Sequence, residues 1–155
     1  MTQEEKKLLF IDICARVPYY PYALFDLDKK FDGGLQAPII GMVNKGNTGV
    51  IKYNQEFYAY GCMTPFSIDE FRIYLRPMSS MTENERKEVE NLIKENRPNP
   101  YGIINNKGID NLLFSVSVTS GVLIDWLNAH YFDFRNLIER GLALEAPEGM
   151  YNLNK

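Results

Sequence analysis

The chain has 155 residues, 45% of them hydrophobic and 24% charged, with a formal charge of −3 at neutral pH. That is the size and balance of one globular domain; two widely separated cysteines exclude a disulfide-stapled scaffold, and no apolar run approaches the roughly 18 residues of a membrane helix. Residues 1–80 carry nine basic and nine acidic side chains and residues 81–155 carry eight and eleven, so the chain lacks the basic surplus on which nucleic-acid affinity usually rests.

The polar start, with its short apolar run, reads as a helix rather than a signal peptide. Thr2 and Glu5 have the spacing of a capping box, in which the threonine hydroxyl accepts from the Glu5 amide and the glutamate returns the bond. Leu8, Leu9, Phe10, Ile11, Ile13 and Cys14 follow, and Pro18 disfavours helix at Val17, so the helix is expected to stop near Arg16. Its apolar residues point to most sides, which predicts a helix packed into the domain.

From Tyr19 to about Leu75 the pattern is that of short strands. Residues 22–27, 36–43, 49–53 and 56–62 read as strands joined by tight turns, with Asn44-Lys45-Gly46-Asn47 and Asn54-Gln55 as hairpin connections. Residues 67–71 read as one helical turn and 72–75 as a short fifth strand. Four strands, one turn and a fifth strand is the order of a small SH3-like barrel, or of an antiparallel meander that does not close.

Pro77 ends that unit. Thr82 and Glu85 repeat the capping-box spacing, and a helix over 83–95 carries the narrow stripe Val89, Leu92 and Ile93, so it is expected to be largely exposed and docked through its C-terminal half. Asn96-Arg97-Pro98-Asn99-Pro100 is the strongest internal breaker. Beyond it, 101–104 and 112–119 flank Asn105-Asn106-Lys107-Gly108 as a hairpin. Ser120 then caps a helix bearing Leu123, Trp126, Leu127 and Tyr131, and Asp133 caps another over 134–140 that Gly141 stops. Trp126, Leu127, Leu123 and Leu137 are expected between helices and sheet. The tail 145–151 reads as irregular.

The reactive side chains do not assemble into a recognisable catalytic motif. Asp26, Asp28 and Asp32 before Gly33 have the look of a calcium loop, but Phe31 stands where the EF-hand needs its glycine and Ala37 where it needs its closing glutamate. His130, Asp133 and Cys14 have the types of a thiol catalytic group with nothing to place them together. Glu139, Glu145 and Glu148 lie in a charged stretch unsuited to a raised pKa. No cofactor and no metal is expected, and catalysis is disfavoured. The aromatics are more informative: they make up 13% of the chain, with ten Tyr and nine Phe. Tyr19, Tyr20 and Tyr22 flank Pro18 and Pro21, and Tyr53, Phe57, Tyr58 and Tyr60 sit on adjacent strands. Arg72 and Arg76, with Tyr74 between them and Pro77 after, have the composition of an anion-binding corner.

Two strings carry a resemblance. One is Tyr74-Leu75-Arg76-Pro77-Met78-Ser79-Ser80-Met81-Thr82. The other runs from Asp125-Trp126-Leu127-Asn128-Ala129-His130 through Asp133-Phe134-Arg135 to Gly141-Leu142-Ala143-Leu144-Glu145-Ala146-Pro147-Glu148-Gly149-Met150-Tyr151. With the opening residues 2–9 they resemble a family of small uncharacterised proteins of gut anaerobic bacteria, their prophages and their phages. The family has no known activity, so the resemblance implies a setting only, an intracellular accessory protein of phage or mobile-element origin.

Together these readings predict a single α+β domain over 1–155, with a barrel-like part over 1–96 and a hairpin and helical lobe over 97–155. An N-terminal helix, a central exposed helix and two C-terminal helices would surround a small antiparallel SH3-like barrel or meander. The expected function is non-enzymatic binding of a protein partner in the cytoplasm, away from membranes, through Tyr19, Tyr20, Tyr22, Arg72, Tyr74 and Arg76, residue types enriched at interfaces. The alternative is a nucleic-acid-binding small barrel using Lys45, Lys52, Tyr53 and Tyr58, which the charge disfavours; a small hydrolase ranks third.

Overall fold

The computed structural model describes residues 1–25, 34–44, 55–63, 65–95 and 121–151. Thr2 caps α1 (Gln3–Arg16) with both bonds of the capping box in place, Glu5 N–H to Thr2 Oγ1 at 3.2 Å and Thr2 N–H to Glu5 Oε2 at 2.7 Å. The helix ends at Arg16, and Pro18 sits in the 3-10 turn Val17–Tyr19 that follows. Four strands come next: β1 (Tyr22–Phe25), β2 (Leu35–Asn44), β3 (Gln55–Ala59) and β4 (Phe71–Leu75). Helices α2 (Glu83–Glu95) and α3 (Gly121–Ala129) precede the last strand, β5 (Ala143–Glu145). The chain is thus mixed α/β, with three α-helices and a five-stranded sheet among the described residues. None of these helices is long and apolar enough to cross a membrane.

The sheet order is β3-β2-β1-β4-β5. Its first four strands pair antiparallel, with Ala23 opposite Ala37 on one side and Ile73 on the other, while β5 joins β4 in parallel, Ile73 opposite Ala143. Among the described residues the sheet is open, with β3 and β5 at its edges, and a bridge from Phe57 to Phe66 extends the β3 side. Period-2 alternation sends Ala23, Phe25, Ala37, Ile39, Phe57, Phe71, Ile73 and Leu75 to one face. There Leu9 and Ile13 of α1 cover them, together with Leu137 and Leu142. The rings interlock: Phe25 lies 4.5 Å from Phe66 and 5.1 Å from Phe71, and Phe57 meets Phe71 edge-on at 5.2 Å, the offset geometries that ring quadrupoles favour.

A second apolar cluster lies among the helices. Val89 and Ile93 of α2 meet Leu123 and Leu127 of α3, with Met81 and Phe132, and Trp126 packs at its margin. Helix α2 is therefore docked by one narrow stripe, as its sequence predicts. Leu123 and Leu127 belong to this helix–helix cluster, and only Leu137 joins the core beneath the sheet; the expectation that all of them lie between helices and sheet is corrected accordingly.

The second C-terminal helix is also corrected. Residues 134–140 form successive turns. Asn136 has φ +57, a left-handed conformation that interrupts an α-helix. The Asp133 carboxylate accepts from Leu137 N–H and Ile138 N–H, both at 2.8 Å, further along the chain than a helix cap reaches. Gly141, at φ +68, does close the segment, and Leu137 and Leu142 meet in the core across it. Strand β5 was not expected from the sequence. The polar turn carrying Asp26, Asp28 and Asp32, the strand over 49–53, the hairpin over 101–119, the breaker over 96–100 and the Ser120 cap lie outside the described residues.

Buried charge joins the two layers. Asp12 and Arg16, one helical turn apart, are both fully buried. Arg16 grips Asp12 through two bonds, 2.7 Å and 3.0 Å, and donates to the Phe132 carbonyl at 2.8 Å. Arg135 adds a bond to Asp12 at 3.1 Å. The pairing is what makes such burial tolerable, since an isolated ion would cost several kcal/mol.

Candidate functional site

The site is built where β4 runs out. Arg76 continues the strand as a parallel bridge with Phe132: its N–H donates to the Tyr131 carbonyl at 2.8 Å, and its carbonyl accepts from Asp133 N–H at 2.8 Å. This holds the guanidinium 4.2 Å above the Phe132 ring, a cation–π placement. The same guanidinium meets Glu85 fork to fork, at 2.7 Å and 3.0 Å. Glu85 thereby serves twice, because Thr82 N–H and Oγ1 also donate to it at 2.8 Å each, completing the capping box of α2. Burial would push the Glu85 carboxyl up, but the bonds from Arg76 and Thr82 outweigh it and hold the group down at about 2.

Beyond the ion pair opens a cleft of about 740 Å³. One wall is the stretch from Arg76 through Ser80 and Thr82 to Glu85 and Glu88; the other is the segment 145–149 with Tyr151; His130 also lines it. His130 is stacked on Trp126 at 3.8 Å, and its Nδ1 lies 2.9 Å from the Trp126 carbonyl oxygen. Trp126 in turn lies parallel to Phe132 at 5.9 Å. Guanidinium, benzene, indole and imidazole therefore form one layered stack beside the cleft. Four carboxylates line it, Glu85, Glu88, Glu145 and Glu148, against the single guanidinium of Arg76. Since Glu85 is spent on Arg76, the remaining three leave the lining strongly negative, and all three are exposed.

Tyr151 fastens the second wall. Its hydroxyl donates to the Tyr74 carbonyl at 2.8 Å and accepts from Tyr22 N–H at 3.0 Å. Its ring lies flat on Tyr131 at 3.7 Å and edge-on to Tyr22 at 6.1 Å. Burial raises the phenol pKa strongly, so the proton that bonds Tyr74 stays in place. Tyr131, at φ +62, donates its own hydroxyl to the Tyr19 carbonyl.

The six residues singled out from the sequence fall into different settings. Tyr22 and Tyr74 are joined through Tyr151, and Arg76 lines the cleft. Tyr74 is only 7% exposed, and its hydroxyl accepts from Gln36 at 2.7 Å. Tyr19 turns away to donate to Asp125 at 2.6 Å, a bond that raises its pKa. Tyr20 is 58% exposed and Tyr22 38%, so both rings reach solvent, Tyr22 beside the Tyr151 wall. Arg72 is exposed on β4, opposite Leu24.

Cys14, His130 and Asp133 each have partners elsewhere. The Cys14 thiol lies 3.7 Å from the Met42 sulfur and burial pushes its pKa up, His130 stacks on Trp126, and the Asp133 carboxylate serves backbone amides. Among the described residues no group of three or more His, Cys, Asp or Glu is placed to hold a metal ion. Of the alternative nucleic-acid contacts, Tyr58 is half-buried on β3, and Lys45, Lys52 and Tyr53 lie outside the described residues. Sequence reasoning missed Glu85, Glu88 and Tyr151. Glu85 was visible as a capping residue but not as the partner of Arg76, and Tyr151 stood at the end of a tail read as irregular.

The chain matches no protein-family model, no curated protein and no solved structure.

Proposed function

We propose that the protein is a non-enzymatic binding module, and that the acidic cleft takes a basic segment of a protein partner. The carrying observation is the cleft itself: a cavity of about 740 Å³ in which Glu88, Glu145 and Glu148 remain after Glu85 is paired with Arg76. Charge of one sign in a walled cleft raises the local concentration of the opposite charge and discriminates against anionic partners. The exposed ring of Tyr22 borders the Tyr151 wall and offers apolar contact beside the charge. Residues of both strings that resemble the phage and gut-bacterial family line this one cleft, and the setting the resemblance implies is that of an accessory protein of phage or mobile-element origin. An SH3-like arrangement is supported by strand order, since β4 returns to the side of β1 after the β1-β2-β3 meander, with one turn before it.

The test is a titration with a fluorescein-labelled hexa-arginine peptide, against a hexa-glutamate peptide and a single-stranded oligonucleotide. The arginine peptide should bind, weaken as salt rises and lose about tenfold in affinity when Glu88, Glu145 and Glu148 are changed to Gln. Equal binding by the triple variant, or tighter binding of the oligonucleotide, would remove the cleft from the account.

A further inference from the structure

We infer that residues 146–151 form a releasable strap, and that docking of Tyr151 between β1 and β4 decides whether the cleft has its second wall. The inference rests on the reading of the cleft as the binding site and adds how that site is controlled.

The β1–β4 ladder ends at Ala23 opposite Ile73. The next antiparallel pair would be Tyr22 with Tyr74. That pair is instead joined through one phenol oxygen, which accepts from Tyr22 N–H at 3.0 Å and donates to Tyr74 O at 2.8 Å. Tyr151 thus occupies the gap that a further ladder bond would close. When it leaves, Tyr22 N–H and Tyr74 C=O can pair with each other, so release leaves neither group orphaned. The exchange is between two satisfied arrangements, which is the condition for a two-state element.

The strap is held at its ends. Ala146 N–H donates to the Leu75 carbonyl at 2.8 Å, continuing β5, and Tyr151 anchors the other end. Between them, the backbone bond among the described residues is internal, Met150 N–H to Pro147 O at 3.1 Å. Glu148, Gly149 and Pro147 line the cleft from this suspended stretch. A ligand held against those residues favours the docked strap, and anything that pulls Tyr151 away weakens the ligand by the same factor.

The experiment compares the full chain with Tyr151→Phe, which keeps the ring and removes both hydroxyl bonds, and with Gly149→Ala, which strains the strap at φ +78 where nothing lies within 4 Å of an added methyl. Amide exchange is followed residue by residue, and the hexa-arginine titration is repeated on each variant. In Tyr151→Phe, the amide of Met150, which donates to the Pro147 carbonyl in the docked strap, should exchange at least tenfold faster while Tyr22 N–H stays protected, because it now pairs with Tyr74. In Gly149→Ala the strap amides should change in the same direction. Affinity for the peptide should fall with strap docking in both. A Tyr22 amide that loses protection while the strap amides keep theirs would overturn the inference, as would slow strap exchange with weakened peptide binding. Fast strap exchange with undiminished affinity would leave the strap standing and refute the cleft as the binding site.

Discussion

The core beneath the sheet and the joint between the sheet and the helical layer are held by different physics. Under the sheet, Phe25, Phe57, Phe66 and Phe71 interlock with Leu9 and Ile13 by non-directional burial. At the joint, directed bonds act beside ring contacts: Arg16 to Phe132 O, Arg135 to Asp12, Arg76 to Glu85, and Tyr151 to Tyr74 and Tyr22. Apolar burial fixes that the layers stick together. Directed bonds fix the angle and register at which they meet, and the cleft is a product of that register. The first region should tolerate exchange of one hydrophobe for another, and the second should not tolerate even isosteric change.

The largest effect is expected from Asp12→Asn, which keeps volume and removes charge. Arg16 would then be buried without its counter-ion, and stability should fall by about 3–5 kcal/mol in denaturant unfolding. A loss below about 1 kcal/mol would mean that the joint is packed rather than bonded. Glu85→Gln comes next, at about 1.5–3 kcal/mol near neutral pH, since it weakens charge-assisted bonds from Arg76 and Thr82. Its pH dependence has a definite sign. The folded Glu85 titrates at about 2, below its ordinary 4.5. Its contribution is therefore complete above pH about 4.5 and is lost as the pH falls towards about 2. The stability gap between the native chain and Glu85→Gln should close over that window. The smallest effect should come from the sheet side: Leu9→Met conserves volume in the aromatic core and should cost about 1 kcal/mol or less.

The same division explains what could be read from sequence. Local signals were legible: both capping boxes, the stop before Pro18, strands β1, β2 and β4 within a residue or two, and the Gly141 turn. Each depends on residues a few positions apart. The joint depends on pairs far apart in the chain, such as Tyr151 with Tyr22 and Arg135 with Asp12. Asp12 and Arg16 at i,i+4 spacing look like any surface pair until α3 and the following turns bury them. Strand β5 is three residues long and owes its extended form to β4 as a parallel neighbour. The break at Asn136 arises because a left-handed residue and the Asp133 carboxylate replace the helical bonds that the capping pattern predicts. Of the site, Arg76 was anticipated as a recognition residue; Glu145 and Glu148 were weighed only as an acid–base pair and set aside, and Glu88 was not singled out.

The most direct measurement is a heteronuclear NMR map of the full chain titrated with hexa-arginine. The account predicts that the shifted amides cluster at Glu88, Glu145, Glu148 and Gly149, and at His130, with the shifts fading as salt is raised. Shifts confined to the remote β3 edge around Tyr58 and Tyr60, or no shift at any peptide concentration, would contradict it.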